Sequence, residues 1–260
     1  MASFDSTQIR ALVFDVFGTV VDWRSGVIRD VSALAASQGV PVDAPAFADA
    51  WRAGYRPAMD RARRGEIAWT NIDGLHRSIL DELLPRFGLG PITEDEADAL
   101  NRSWHRLDPW PDVLAGLHAL RTRFVISTLS NGNVALLVNM AKRAGLPWDC
   151  VLSAEMFQQY KPDPEVYTTA ARLLGFAPQQ VLMVAAHPSD LAAAQRSGLR
   201  TAFVPRPLEY GAGVASPDRV GDLVFDIVAD DFVALLRGSE SRPRTAVASH
   251  CRWTKPSPAK

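Results

Sequence analysis

Five short apolar runs, with segments of helical periodicity between them, decide what this chain can fold into. The first is "ALVF" at 11–14, and others recur at 124–129, 181–186, 201–204 and 223–228. A continuous apolar run this short has no polar side, so it suits a strand covered on both faces, as in a parallel sheet. The intervening helical segments are "DVLAGLHALR", opening near Pro111, then "NVALLVNMAKRA", "PEVYTTAARLL" and "SDLAAAQRS". The last three run into Gly145, Gly175 and Gly198, and glycine ends a helix in the left-handed conformation at least cost. Strands alternating with helices predict right-handed crossovers and an α/β fold with a doubly wound parallel sheet of the Rossmann-like kind.

Residues 25–106 interrupt that alternation with helix after helix. The segments are 25–39; 44–65, with a bend expected at Pro57; 71–87, with Thr70 as its cap; and 94–107, opened by a Thr93/Glu96 capping box. This divides the chain into a core of 1–24 and 107–237, a helical cap of 25–106, and a tail of 238–260. The tail is rich in Ser, Pro and basic residues and is expected to be mostly disordered.

Hydrophobic residues make up 47% of the chain and charged residues 22%, with a formal charge of −1. That balance gives no electrostatic reason to bind nucleic acid or an anionic membrane. No apolar stretch approaches the ~20 residues of a spanning helix, and "MASFDSTQIR" lacks the apolar core of a signal peptide, so a cytoplasmic protein is expected. Cys150 and Cys251 fit no zinc pattern and read as unpaired thiols.

Ligands of an open parallel sheet gather beyond the carboxyl ends of its strands. The first run ends on Asp15, followed by Phe17, Gly18 and Thr19; the second ends in "STLSNGN", with Ser130 and Asn131. "YKPDPEVY" supplies Lys161 and Tyr167, and "VLMVAAHPSD" supplies His187 and Asp190. Each has a plain structural reading: Asp15 as the cap of a turn, Lys161 as a surface lysine, Ser130 and Asn131 as loop residues. Convergence of all four motifs on one edge favours a site.

In this order the four motifs resemble the haloacid dehalogenase superfamily, over nearly the whole chain to about residue 237, with the helical insertion as its cap. "FDVFGT", "LSNG", "KPDPEVY" and the cap's "AWRAGY" resemble the L-2-haloacid dehalogenases (type II). The resemblance implies hydrolysis of a short 2-haloalkanoic acid to the 2-hydroxyacid with inversion, through an aspartyl ester on Asp15. It implies that Lys161 keeps Asp15 ionised, that Arg52 receives the departing halide, and that Asp190 takes the proton of the hydrolytic water beside Thr19. Tyr167 would orient these groups, and Ser130 and Asn131 would bind the substrate carboxylate. Phe17 would form an apolar wall, while Trp69 would either add to that wall or pack a helix.

His187 stands where this family often has asparagine. It would position water, hold halide, or pack beside Pro188. Ser189 stands where an indole is common. Phosphatases of the superfamily usually carry a second aspartate at the place of Phe17. Halide leaves without a proton, and no phosphoryl charge needs clamping, so neither metal nor cofactor is expected. A magnesium-dependent phosphatase or phosphonate-cleaving hydrolase is the alternative. The resemblance further implies a homodimer.

Overall fold

The computed structural model describes residues 6–238. Strand β1 (Ala11–Phe14) is followed by the short strand β2 (Val21–Asp22) and by four helices, α1 (Trp23–Gln38), α2 (Ala44–Arg63), α3 (Ile72–Arg86) and α4 (Glu94–Asn101). The chain returns through β3 (Asp108–Pro109) and then alternates: α5 (Val113–Arg121), β4 (Val125–Ser130), α6 (Val134–Ala144), β5 (Cys150–Ser153), α7 (Pro164–Leu173), β6 (Val181–Ala185), α8 (Pro188–Arg196) and β7 (Arg200–Phe203). Strand β8 (Ile227–Val228) and helix α9 (Phe232–Gly238) complete it. Six strands form one parallel sheet in the order β5-β4-β1-β6-β7-β8. The chain fills one side of β1 and then the other. The order therefore reverses beside β1, and there a crevice opens beyond the strand ends.

Both faces of β1 are covered, as its apolar run requires. Leu12 and Phe14 pack with Leu117 of α5, Met140 of α6 and Phe232 of α9. Ala11 and Val13 pack on the other side with Val166 of α7 and Leu191 of α8. Alternate residues of a strand point to opposite faces, so one tetrapeptide serves both layers.

The first cluster continues without a break through Trp23 of α1, Phe47 and Trp51 of α2, Leu80 of α3 and Trp104. Strands β2 and β3 pair antiparallel, Val21 opposite Pro109 and Asp22 opposite Asp108, so the helical insertion leaves and rejoins the sheet at one place. Asp22 caps α1 by accepting from the Ser25 amide, and Asp43 caps α2 by accepting from the Ala46 amide. Truncating one such cap costs about 0.5–2 kcal/mol.

Three details differ from the sequence reading. Strand β5 was not among the five apolar runs: it is an edge strand, and Cys150 and Val151 are only partly buried, so it carries no unbroken apolar signal. Only Ile227–Val228 of the run at 223–228 is a strand. Just before it, Asp226 accepts from the Thr201 amide through its side chain, in place of a ladder bond. Helix α2 runs through Pro57 as one helix, as read. The cap of α3 is Asn71, accepting from the Gly74 amide, whereas the Thr70 hydroxyl donates to the Ala68 carbonyl. The Thr93/Glu96 capping box is present. Apart from Gly238, which ends α9, the tail lies outside the described residues. Among the described residues no helix is long and apolar enough to cross a membrane.

Candidate active site

Asp15 is the first residue past β1, and its amide still donates to the Val184 carbonyl of β6, which fixes the backbone at the crevice. The residue is 8% exposed, and both carboxylate oxygens are engaged. Oδ1 accepts from Lys161 Nζ at 3.0 Å, and Oδ2 lies 2.7 Å from Thr19 Oγ1 and 2.9 Å from His187 Nδ1. The Thr19 hydroxyl accepts from the Ala186 amide at 2.9 Å, which leaves its single hydrogen for Asp15. Lys161 Nζ also donates to Asp190 Oδ2 at 2.5 Å, and the Tyr167 hydroxyl donates to Asp190 Oδ1 at 2.5 Å.

Behind His187 stands Glu209, which the sequence reading did not single out. His187 Nε2 lies 3.0 Å from Glu209 Oε1 and 3.1 Å from Oε2, and Trp23 Nε1 donates to Oε1 at 3.0 Å. The loop after β7 brings it there. Arg206 forms a two-pronged pair with Asp112 at 2.6 and 3.0 Å and donates to the Thr19 carbonyl at 2.9 Å, while the Glu209 amide closes a turn on the Arg206 carbonyl. Gly18 makes room for it. With φ at +83°, a conformation that favours glycine, a Cβ at this position would stand 2.2 Å from Glu209 Oε1. A signal for Glu209 existed in the sequence: it is the acid in "PRPLEY", beyond the carboxyl end of a strand that was read as such.

The charges form an alternating row running Glu209, His187, Asp15, Lys161, Asp190. Burial alone would raise the pKa of Asp15, but the Lys161 charge, then the His187 hydrogen bond and charge, and then the Thr19 hydroxyl hold it well below the usual carboxylate range. Burial would likewise lower the pKa of His187. The charge of Glu209 and the hydrogen bonds to both carboxylates raise it instead, to about 10, so the resting ring is an imidazolium. Burial also acts to lower the pKa of Lys161, and its two carboxylate partners more than offset this and raise it. Asp190 moves upward, chiefly through burial, with the charge of Lys161 offsetting only part of that effect.

Above this row lies an aromatic box. The Phe17 ring meets Trp104 edge-on at 5.6 Å and Tyr55 at 6.3 Å, and Trp104 stacks on His76 at 4.1 Å. Arg52 of α2 faces the Tyr55 ring at 4.8 Å and the Trp23 ring at 5.5 Å. Its Nη1 is buried without a hydrogen-bond partner among the described residues, as are Trp104 Nε1 and both ring nitrogens of His76. Burial lowers the pKa of His76 to about 3, so that ring is neutral. The Arg52 guanidinium thus lies against ring faces with one nitrogen unpartnered, within electrostatic reach of Glu209.

Ser130 Oγ accepts from the Gly132 amide at 3.1 Å, and Asn131 Oδ1 accepts from the Lys161 amide at 2.8 Å, so both brace the loops that carry the site. Trp69 stacks on Tyr160 and lines a surface groove of about 340 Å³ with Arg63 and Asp163, a groove that includes none of the charged row. Ser189 is engaged outside the row, its hydroxyl donating to Asp218 at 2.6 Å.

The family model for haloacid dehalogenase-like hydrolases matches residues 9–198. The chain belongs to that family. This hydrolase is 32% identical to the (S)-2-haloacid dehalogenase 4A of Burkholderia cepacia over 218 residues, covering 78% of this chain and 87% of the relative. Among solved structures, the L-2-haloacid dehalogenase PA0810 superposes with a TM-score of 0.84 at 47% identity, over 88% of this chain and 97% of the other. The defluorinating L-2-haloacid dehalogenase Rha0230 superposes at 0.87 and 42% identity, over 92% and 100%.

A magnesium ion, which phosphatases of this fold would need, does not suit the residues present in this hydrolase. Position 17 is a buried phenylalanine, both Asp15 oxygens already meet nitrogen or hydroxyl donors, and the Lys161 ammonium already bridges Asp15 and Asp190. Hard divalent cations require several free oxygen ligands.

Proposed function

We propose that this hydrolase removes the halogen of short 2-haloalkanoic acids by hydrolysis, giving the 2-hydroxyacid with inversion through an ester on Asp15, under a cap formed by 25–106. The observation that carries the reading is Asp15 itself: a buried carboxylate paired with Lys161, with an aromatic ring rather than an acid two residues on. Lys161 keeps it ionised in a water-poor site, which a carbon nucleophile requires. Of its two oxygens, Oδ2 meets two groups and Oδ1 meets one. Oδ1 is therefore the oxygen that attacks the halogen-bearing carbon from the rear, while Oδ2 becomes the ester carbonyl. Halide leaves with the bonding pair and takes no proton. The names borne by its relatives agree with this chemistry.

Arg52 Nη1 is the partner for the departing halide, since it is buried with no hydrogen-bond acceptor of its own among the described residues. Replacing Arg52 with Ala is expected to cut turnover by about 10²–10³-fold, the worth of one strong electrostatic donor in a dry site. Steady-state halide release, with circular dichroism as a folding control, measures it; an undiminished rate would leave Arg52 a packing residue.

The reaction class is tested by incubating the enzyme with L-2-chloropropionate and, separately, with a phosphomonoester, each with and without EDTA. Chloride release indifferent to chelator is expected. Phosphate release that EDTA abolishes, without chloride release, would replace this reading by the phosphatase one.

A further inference from the structure

An ester on Asp15 must be hydrolysed, and something must take a proton from the attacking water. The sequence reading gave that task to Asp190. Both Asp190 oxygens, however, are occupied, one by the Lys161 ammonium and the other by the Tyr167 hydroxyl. His187 touches Asp15 directly through Nδ1, and its other nitrogen is held by Glu209. Glu209 is 2% exposed and is fixed in turn by Trp23 and by the turn on Arg206. A carboxylate behind an imidazole whose far nitrogen meets the reacting group sets ring orientation and tautomer, as in hydrolytic triads.

We propose that His187, positioned by Glu209, activates the water that hydrolyses the Asp15 ester, and that ester formation itself frees the ring for this role. The proposal rests on the dehalogenase reading above. In the resting enzyme the ring lies between two carboxylates, Asp15 and Glu209, and carries two protons. Attack by Oδ1 turns one of those carboxylates into a neutral ester. One of the two anions that held the ring charged is then gone, and its hold on the second proton weakens. That proton passes to solvent and is the proton of the overall reaction, in which haloacid and water give hydroxyacid, halide and H⁺. Neutral Nδ1 next takes a proton from a water molecule whose oxygen adds to the Asp15 carbonyl carbon. Thr19 continues to donate to Oδ2 as it becomes an oxyanion. Collapse breaks the bond from that carbon to Oδ1, and the hydroxyacid oxygen leaves with the proton from His187. The new Asp15 carboxyl returns its own proton to the ring, and the resting pair is restored.

Glu209 touches no reacting atom in this scheme, so it is a positioning residue, and its effect separates the two chemical steps. The full-length enzyme is mixed rapidly with L-2-chloropropionate, and chloride, together with the mass of the Asp15-containing peptide, is followed in quenched samples. For Glu209→Gln the first equivalent of chloride is expected at close to the original rate. Steady turnover is expected to fall by about 10²-fold or more, the usual weight of acid–base assistance, with the 1-carboxyethyl ester of Asp15 accumulating on the peptide. His187→Asn is expected to behave in the same way. Asp190→Asn is expected to slow the first equivalent instead, because it unseats Lys161. Unchanged turnover in both Glu209→Gln and His187→Asn, or a first equivalent slowed as much as turnover, would overturn the proposal. So would ester trapped by Asp190→Asn and by neither of the others. Absence of chloride release from the unaltered enzyme would instead refute the dehalogenase reading on which the proposal stands.

Discussion

Replacing Asp15 with Asn is expected to abolish halide release, a loss of about 10⁴-fold or more, as for other residues that form the covalent intermediate. The folded state survives this change for a structural reason. Lys161 keeps Asp190 as a partner and His187 keeps Glu209, so neither cation is left buried alone. The thermal midpoint is therefore expected to stay near that of the unaltered protein while no ester mass appears on the peptide that carries the substitution. Persistent turnover with a well-folded Asp15→Asn variant would mean that water, not the side chain, attacks substrate carbon.

The second large effect is expected from Lys161→Met. This change removes the largest influence lowering the pKa of Asp15 and leaves the desolvation that raises it. Only ionised Asp15 can attack carbon. The acid limb of the halide-release profile therefore moves to higher pH, and activity at neutral pH falls as the protonated fraction grows. The linkage has the matching sign. A carboxylate whose folded pKa lies below its unfolded value stabilises the fold above the ordinary carboxylate range and loses that contribution as pH drops through the folded value. In the variant the contribution disappears at neutral pH. Breaking a buried pair by removing one partner costs about 3–5 kcal/mol. Denaturant midpoints at neutral pH, with pH–rate profiles beside them, measure both effects. An acid limb that stays in place would show that Lys161 does not hold Asp15 ionised.

The core sheet was legible because a central strand must be buried on both faces, a demand that leaves unbroken apolar runs at β1 and β6 and one interrupted only by Ser127 and Thr128 at β4. The edge strands were not, since β5 needs cover on fewer sides and β8 gives way to side-chain bonding by Asp226. Asp15, Thr19 and Asp190 were found by one rule, that strand ends of a parallel sheet carry the chemistry; Lys161 follows the unread strand β5 and came from its motif and the family resemblance, and the four lie together in the fold. Glu209 obeys the same rule but stands several residues past its strand, in a loop whose path depends on the Arg206–Asp112 pair. Such a path is a tertiary fact that no local pattern records. The aromatic box was half visible. Phe17 could be weighed by what it replaces, whereas Trp104 and His76 come from separate segments of the helical insertion and meet only through packing.

Five groups of alternating sign, each within hydrogen-bond reach of the next, trade protons as a community. A titration of this enzyme reports apparent constants that belong to the whole string from Glu209 to Asp190, and altering any one link retunes the others. Engineering that shifts the working pH therefore has five handles on a single property, and none of them turns alone.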